Sequence, residues 1–285
     1  MKRIKHLIAL LILAAFGFYA CEQSNEEFPE FQDDIPQAVL DKIEAAGYSP
    51  NDVIKGEWNG RTGYVVEYDL FFAEDEIDNL ALNPKVPGTE HYHTTNLVTN
   101  LPRVIKVGID PSFSQSAKDA LDQTIAMYNA ENLALQFQLA TVTVSGKGKR
   151  QTVTSDADIF ISAFSERPRG GFITLGRAAG FPTSAGDPAN GFGLNTYWIN
   201  NFNPSVTELK GVMAHEIGHC IGFRHTDYQT RESCGSNTNG GSAGVGAIYI
   251  PGTSTGSDAT SLMQACGPAD DFNANDVTAL NYLYN

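Results

Sequence analysis

Three histidines and one glutamate in the chain are spaced for metal chemistry. His215 and His219 are four residues apart in a His-Glu-Ile-Gly-His motif, so a helix places both imidazoles on one face. Glu216 lies beside them as a candidate general base. Gly222 can end the helix in a left-handed turn and bring His225 round as a third ligand. Three neutral imidazoles leave the fourth position of a tetrahedral zinc ion to water, as in catalytic zinc sites.

The alternative is an amphipathic helix with incidental histidines. The chain has 27 Gly and 6 His in 285 residues, so a Gly and a His at the required distances after the motif coincide by chance roughly once in 500 cases. The spacing therefore favours one catalytic Zn2+ site.

The composition describes a globular chain with one large domain or two smaller ones. Hydrophobic residues make up 42% and charged residues 18% of the sequence. The formal net charge is −14, which argues against nucleic acid as a partner because phosphate binding needs a basic face.

The N-terminus resembles a bacterial lipoprotein signal. Basic residues precede an apolar run from Leu7 to Ala20, and Cys21 follows as the candidate acylated residue. Residues 1–20 are therefore interpreted as the signal peptide and residues 21–35 as an acidic tether. We expect an exported protein, lipid-anchored to a bacterial outer membrane or cell surface or released from it, which contacts the membrane through this lipid only. A plain secretory signal is the alternative.

Three cysteines remain after the signal. Cys234 and Cys266 flank a long loop and are the preferred disulfide in an oxidising compartment. Cys220 follows a candidate ligand on the helix and is expected to pack as a small buried group. A pairing of Cys220 with Cys266 stays open.

The remaining elements must position this centre. A helix over 36–46, a strand ending the stretch 58–72 and a linker over 79–89 form an N-terminal region, 36–95, that is either pro-like or accessory. Residues 96–225 form an N-terminal catalytic subdomain that includes the zinc helix, and residues 226–285 form a C-terminal subdomain ending in a helix. Within the catalytic subdomain the pattern predicts a helix over 114–132 and strands over 103–109, 133–144, 157–164, 172–176 and 194–199.

Two other polar motifs have structural interpretations. The stretch 271–276 resembles a calcium loop but lacks the required Gly and Glu, so we expect a cap at Asn273 for the terminal helix. His91 and His93 could pair on a metal, but no Cys or carboxylate lies nearby in sequence and an exposed linker is favoured.

The stretch from His215 to His225 resembles the extended motif of the metzincin metalloproteases, and Ser261-Leu-Met263 resembles their methionine turn. The residues of this motif, together with Ile250-Pro-Gly-Thr, resemble those of the bacterial dual-action HEIGH metallopeptidases. The similarity extends from about Tyr64 onwards. The resemblance implies an α+β metzincin-type fold. Its mixed, twisted five-stranded sheet and two long helices would lie above a zinc cleft, with a small irregular C-terminal subdomain.

The resemblance also bears on regulation. Ala265 stands where astacin-like members have a zinc-binding Tyr, and no cysteine lies between Cys21 and Cys220 to act as a cysteine switch. Val66-Glu-Tyr-Asp-Leu70 resembles the astacin pro-segment, except that Tyr68 replaces a Gly. We hypothesise that Asp69 reaches the zinc as a latency ligand. An exposed carboxylate on an alternating strand is the alternative.

These residues predict a monomeric zinc-dependent endopeptidase that acts on extracellular proteins or peptides. Glu216 would activate a zinc-bound water, and the strand over 172–176 would align the peptide. Two alternatives remain open. One is a surface-anchored binding lipoprotein with a vestigial zinc site, and the other is a zinc hydrolase of glycopeptide or cell-wall amide bonds.

Overall fold

The computed structural model describes residues 34–46, 48–51, 53–80, 91–146, 151–169, 171–228, 230–235, 247–254 and 258–285. The predicted signal peptide, Cys21 and all but the last two residues of the acidic tether lie outside these ranges, as do most of the predicted linker and most of the stretch 235–260. Among the described residues, no helix combines the length and apolar character needed to cross a membrane.

Five α-helices and twelve strands are described. The helices are α1 (Gln37–Ala45), α2 (Gln115–Ala130), α3 (Thr196–Phe202), α4 (Val206–Ile221) and α5 (Ala274–Tyr284). The strands are β1 (Ile54–Trp58), β2 (Arg61–Val66), β3 (Leu70–Ala73), β4 (Tyr92–His93), β5 (Arg103–Ile109), β6 (Leu135–Leu139), β7 (Val142–Ser145), β8 (Thr152–Ser155), β9 (Ile159–Phe164), β10 (Gly176–Ala178), β11 (Gly191–Asn195) and β12 (Ile248–Tyr249).

The main sheet is mixed, as predicted, but has eight described strands rather than five. Its order is β1-β2-β3-β10-β11-β9-β5-β6. The last five strands are those expected of the catalytic unit, and β10 runs antiparallel to β11 while β11, β9, β5 and β6 are parallel. The N-terminal region adds an antiparallel meander, joined through the pair Leu70 and Ala178. The N-terminal region thus shares the sheet of the catalytic unit.

Several predicted boundaries were wrong. The strand predicted to end the stretch 58–72 is two strands, because the chain reverses between Val66 and Leu70. The strand predicted over 172–176 begins only at Gly176. The strand predicted over 194–199 ends at Asn195, whose side chain accepts a hydrogen bond from the Tyr197 amide and caps helix α3. The stretch 133–144 contains β6 and then β7, which pairs with β8 in a separate hairpin.

The two long helices lie where the sequence pattern predicts them, and a capping residue marks the start of each. Ser114 caps α2, and Ser205 caps α4 through a reciprocal capping box with Glu208. Asn273 caps α5 as predicted, accepting hydrogen bonds from the amides of Asn275 and Asp276. Helices α2 and α4 pack against each other and share one buried core with the sheet. This core holds the histidine-bearing helix rigidly beside the sheet.

Candidate metal centre

Helix α4 brings its two histidines to the sheet because it is almost wholly buried. Every residue from Gly211 to Ile221 is buried. Gly218 faces the methionine turn so closely that a β-carbon there would lie 2.5 Å from Met263 Sδ. Gly222 ends the helix with φ 111°, a left-handed conformation that glycine adopts without a steric penalty. The glycines of the motif therefore serve close packing and the turn that leads to His225.

The three predicted histidines converge on one point. The Nε2 atom of His219 lies 3.0 Å from that of His215 and 3.1 Å from that of His225. Asp69 joins them, with Oδ2 at 3.0 Å from His215 Nε2, 2.8 Å from His225 Nε2 and 3.5 Å from His219 Nε2. All four side chains are buried, and their candidate ligand atoms lie within 4.8 Å of one another.

Hydrogen bonds at the far side of each ring fix the ligand nitrogen. His215 Nδ1 lies 2.8 Å from the Leu262 carbonyl, and His219 Nδ1 lies 2.8 Å from the Phe223 carbonyl. Since a carbonyl only accepts, each Nδ1 must carry the proton, which leaves a lone pair on Nε2.

This donor set fits zinc. Two Nε2 lone pairs about 3 Å apart repel each other unless a cation lies between them. Tetrahedral zinc–nitrogen bonds of about 2.0–2.1 Å would place the nitrogens about 3.3 Å apart, close to the spacing seen here. Three imidazoles and one carboxylate oxygen are ligands that zinc accepts.

Burial and charge perturb the proton affinities of the cluster. Burial lowers the pKa of His219 to about 4. Burial alone would also lower the pKa of His225, but the carboxylates of Asp69 and Glu67 outweigh it and raise that pKa to about 9. Burial disfavours the charged form of Asp69, yet the histidines around it hold its pKa well below the usual range. A negative Asp69 at this point therefore needs a positive charge beside it, from a protonated histidine or from a bound cation.

Glu216 lies at the same centre with an unused oxygen. Its side chain is buried, and Oε2 has no hydrogen-bond partner among the described residues. Burial, and then the charge of Asp69, raise its pKa well above the usual range. The backbone of Gly176 approaches so closely that a β-carbon there would lie 2.2 Å from Glu216 Oε1. A buried carboxylate oxygen without a partner is costly and is typical of a functional group.

A cavity of about 300 Å³ opens beside this carboxylate. It is lined by Tyr68, Asp69, residues 171–176, Val212, His215, Glu216 and residues 265–268. Among the described residues, those beside β10 and those after Met263 therefore shape much of the cavity.

Asp69 reaches the centre because the chain between β2 and β3 reverses there. Glu67 and Tyr68 both adopt left-handed backbone conformations, with φ 53° and 72°. Non-glycine residues rarely do so, and such strain is concentrated at functional sites. The alternative interpretation, an exposed carboxylate on an alternating strand, was wrong because Asp69 lies in the turn and is 7% exposed.

Two further side chains of the turn, those of Glu67 and Tyr68, hold it against the rest of the protein. Buried Glu67 accepts hydrogen bonds from Arg224, at 3.3 Å, and from Nδ1 of His225, at 3.2 Å. The Tyr68 ring stacks on Phe172 and lies 4.2 Å from the Arg231 guanidinium carbon. Neither Glu67 nor Arg224 was predicted from the sequence. The only sequence feature that could have indicated them is their position, since each lies within two residues of a candidate ligand.

Among the described residues, the three cysteines and the two histidines outside the centre have structural roles. Cys234 and Cys266 form a disulfide, and Cys220 is a buried free thiol. The disulfide joins the segment after His225 to the segment after Met263. The expectation that His91 and His93 lie in an exposed linker was wrong. Both are buried, because strand β4 pairs with β12 and carries them into the C-terminal subdomain.

A buried three-histidine centre with an adjacent glutamate defines the class of zinc metallopeptidases. The family model of the dual-action HEIGH metallo-peptidases matches residues 64–284, which is most of the chain. The chain therefore belongs to the dual-action HEIGH metallo-peptidase family, and the resemblance carried by His215 to His225 is confirmed. The match also includes the turn that carries Asp69.

Solved structures with partial similarity to the chain include myroilysin and a hatching enzyme. A crystal structure of myroilysin has 13% sequence identity and a TM-score of 0.40, over 67% of this chain and 86% of that chain. High choriolytic enzyme 1, a hatching enzyme zinc-protease from Oryzias latipes (medaka fish), has 15% identity and a TM-score of 0.36, over 63% and 88% of the two chains. Among proteins with curated functions, none matches the chain significantly.

Proposed function

We propose that the chain is a zinc-dependent endopeptidase of extracellular proteins, with His215, His219 and His225 as the zinc ligands. The observation that carries this proposal is the position of Glu216. Its Oε2 is buried and has no partner among the described residues, beside three converging Nε2 atoms. A site that only bound the metal would have no use for this carboxylate.

Glu216 acts as general base and then as general acid. Zinc, when bound by the three histidines, supplies Lewis-acid activation of water and of the peptide carbonyl. Oε2 of Glu216 accepts the proton of the attacking water and returns it to the leaving amine. General acid–base catalysis of this kind contributes about 10²- to 10⁴-fold to a rate.

The cavity beside Glu216 receives the peptide. Residues 172–176 line it and run directly into strand β10. We propose that an extended substrate pairs with this backbone, which would orient the scissile bond towards Glu216.

Glu216→Gln tests the assignment. We expect proteolysis of casein to fall by about 10²- to 10⁴-fold while bound zinc, measured by elemental analysis, is retained. Glu208→Gln is the matched control, because Glu208 is exposed on the same helix and Gln preserves its capping box. Substantial residual proteolysis by Glu216→Gln would refute the role of Glu216.

The substrate class is tested by comparing substrates with the wild-type chain. Casein, mucin and cell-wall peptides are incubated with and without a chelator. Chelator-sensitive cleavage of casein supports the endopeptidase. Cleavage confined to mucin or cell-wall peptides would favour the hydrolase of glycopeptide or cell-wall amides. Zinc binding without any cleavage would favour the binding lipoprotein.

We further propose that Asp69 is a latency ligand and that residues 36–95 include an inhibitory pro-like region. This proposal is supported by the contacts of Asp69 Oδ2 with all three histidines, since a ligand there would compete with a catalytic water. The Asp69 carbonyl also accepts a hydrogen bond from the Ala178 amide at 2.7 Å, on the edge of β10. The turn therefore lies both over the centre and against the neighbouring strand.

Asp69→Ala in the full chain tests latency. Charged hydrogen bonds contribute about 1.5–3 kcal/mol each, so loss of the carboxylate should raise the accessible fraction and the proteolytic rate by about 10- to 100-fold. Glu57→Ala is the control, because Glu57 is exposed on β1 of the same region. An Asp69→Ala rate equal to that of the wild type would refute latency.

Export and lipid anchoring at Cys21 complete the proposal. The disulfide between Cys234 and Cys266 supports an oxidising compartment. We expect a monomer that is attached to a bacterial outer membrane or cell surface by the N-terminal lipid alone. Cys21→Ala should shift the protein from the membrane fraction to the soluble fraction. Unchanged membrane association would contradict lipidation at Cys21.

A further inference from the structure

A buried carboxylate contacts the methionine turn and is not among the residues that line the cavity. Asp276, in the first turn of α5, is 3% exposed. Its oxygens contact four hydrogen-bonding groups from three different segments. These are the Asn273 amide at 3.0 Å, the Leu262 amide at 2.9 Å, the Ser261 hydroxyl at 2.7 Å and His91 Nε2 at 3.0 Å.

One of these contacts leads directly to the metal centre. The Leu262 amide donates to Asp276 Oδ2, and the Leu262 carbonyl accepts the hydrogen bond of His215 Nδ1 at 2.8 Å. A single residue of backbone therefore separates the carboxylate from a candidate zinc ligand. Movement of Leu262 would change both the orientation of the His215 ring and the partner that fixes its tautomer.

Oδ1 of Asp276 contacts the same turn. Ser261 donates its hydroxyl to Oδ1, and this hydroxyl accepts the Met263 amide at 3.0 Å. His91 approaches Oδ1 from strand β4. Ser261, Leu262 and Met263 are thus each tied to Asp276, directly or through one hydroxyl. The carboxylate specifies the shape of the whole turn.

We propose that Asp276 is a positioning residue for the metal centre, acting on His215 through the Leu262 backbone. The inference rests on the assignment of His215 as a zinc ligand under the proposed function. Groups that orient a metal ligand from behind typically contribute 10- to 100-fold in metal affinity. Asp276 acts in this way through one intervening residue, Leu262, and it lies on helix α5.

The chemistry requires an acidic residue here. A carboxylate offers lone pairs on both oxygens, and the backbone amides and the Ser261 hydroxyl that contact Asp276 all donate to it. An asparagine keeps only one acceptor oxygen, which can serve the Leu262 and Asn273 amides while its NH2 group faces Ser261 and His91. Asp276→Asn therefore removes the acceptor of the Ser261 hydroxyl and the negative charge with almost no change of side-chain volume, and we expect the methionine turn to shift.

The test measures zinc affinity of the full chain by competition with a chromogenic chelator. We expect Asp276→Asn to weaken zinc binding by about 10- to 100-fold. Asn273→Ala is the matched control, because Asn273 caps the same helix through the amides of Asn275 and Asp276. Its side chain donates hydrogen bonds to Asp258 and Thr260 but not to residues 261–263. A cap loss of this kind costs about 1 kcal/mol of stability. The control should therefore destabilise α5 while zinc affinity stays within about threefold of the wild type.

A second measurement distinguishes positioning from general stability. Nitrogen NMR of the zinc-free protein reports whether His215 carries a proton on Nδ1, where the Leu262 carbonyl accepts a hydrogen bond in the wild type. We expect Asp276→Asn to populate a form that lacks this proton and Asn273→Ala to keep it. Equal loss of zinc affinity in both variants, or a folded Asp276→Asn variant with wild-type zinc affinity and an intact Nδ1 proton, overturns the proposal.

Ser261→Ala tests the positioning role of Asp276 if the Asp276→Asn variant does not fold. It removes one of the hydrogen bonds to Oδ1 and the acceptor for the Met263 amide, and leaves the carboxylate in place. We expect a smaller but measurable weakening of zinc binding, and unchanged affinity would overturn the inference. Because these readouts do not use proteolysis, a chain that binds zinc but cleaves no peptide would refute the proposed function without affecting this result.

Discussion

The Glu67→Gln substitution removes the buried charge that ties the turn of Asp69 to the catalytic unit. Glu67 is 1% exposed and pairs with Arg224, whose side chain is fully buried. Burial alone would raise the pKa of Glu67, but Arg224, His225 and Arg231 outweigh burial and lower it from the usual 4.5 to about 2. The folded state therefore binds a proton at this carboxylate less readily than the unfolded state does.

The expected loss of stability follows from the difference between the folded and unfolded pKa of Glu67. A pKa lowered from 4.5 to about 2 corresponds to about 3 kcal/mol of stability at neutral pH. This value is similar to the usual cost of removing one partner of a buried ion pair, which is about 3–5 kcal/mol. We therefore expect Glu67→Gln to lower the free energy of unfolding by about 3 kcal/mol at pH 7.

The sign of the pH dependence is also determined. A depressed carboxyl pKa stabilises the fold above the unfolded value and loses this effect as the pH falls through the folded value. The difference between wild type and Glu67→Gln should be complete above about pH 5 and should shrink to about 1 kcal/mol at pH 3.

Urea denaturation of the zinc-free proteins at several pH values provides the measurement. Glu57→Gln, exposed on β1, is the control and should change stability by less than about 0.5 kcal/mol. A difference between wild type and Glu67→Gln that is below about 1 kcal/mol at pH 7, or that is the same at pH 7 and pH 3, would contradict the reasoning.

Two further predictions concern the cavity and the disulfide. Gly176→Ala should displace the Glu216 carboxylate, because the new β-carbon would lie 2.2 Å from Oε1. Since a displacement of about 1 Å can cost about 10²-fold in rate, we expect turnover to fall by that order in steady-state assays with little change in Tm, and unchanged turnover would contradict the contact. Replacement of Cys234 and Cys266 by Ser opens a loop with a sequence separation of 32 and should cost about 4 kcal/mol in chemical denaturation. Equal stability of the two proteins would show that the bond contributes nothing.

The sequence alone specified the helical half of the centre. The spacing of His215, Glu216 and His219, the glycine that ends the helix and the serine that begins it all act within a few turns of one helix. Such signals are short-range, because a helix fixes the relative directions of side chains three and four residues apart. The family, the zinc ion, the mixed sheet and the two long helices followed from these local patterns and from the resemblance they carry.

Only the tertiary structure decided what surrounds that helix. The sequence raised Asp69 as a hypothesis but favoured an exposed strand, since two left-handed non-glycine residues give no recognisable turn signal. The three N-terminal strands join the main sheet through one residue pair, which no local pattern predicts. The contacts from Glu67 to Arg224 and from His91 to Asp276 span 157 and 185 residues. An unpaired buried charge is costly, so each of these groups needs a partner in the folded state. The fold decides which residue that partner is, and the spacing of residues in the sequence does not predict it.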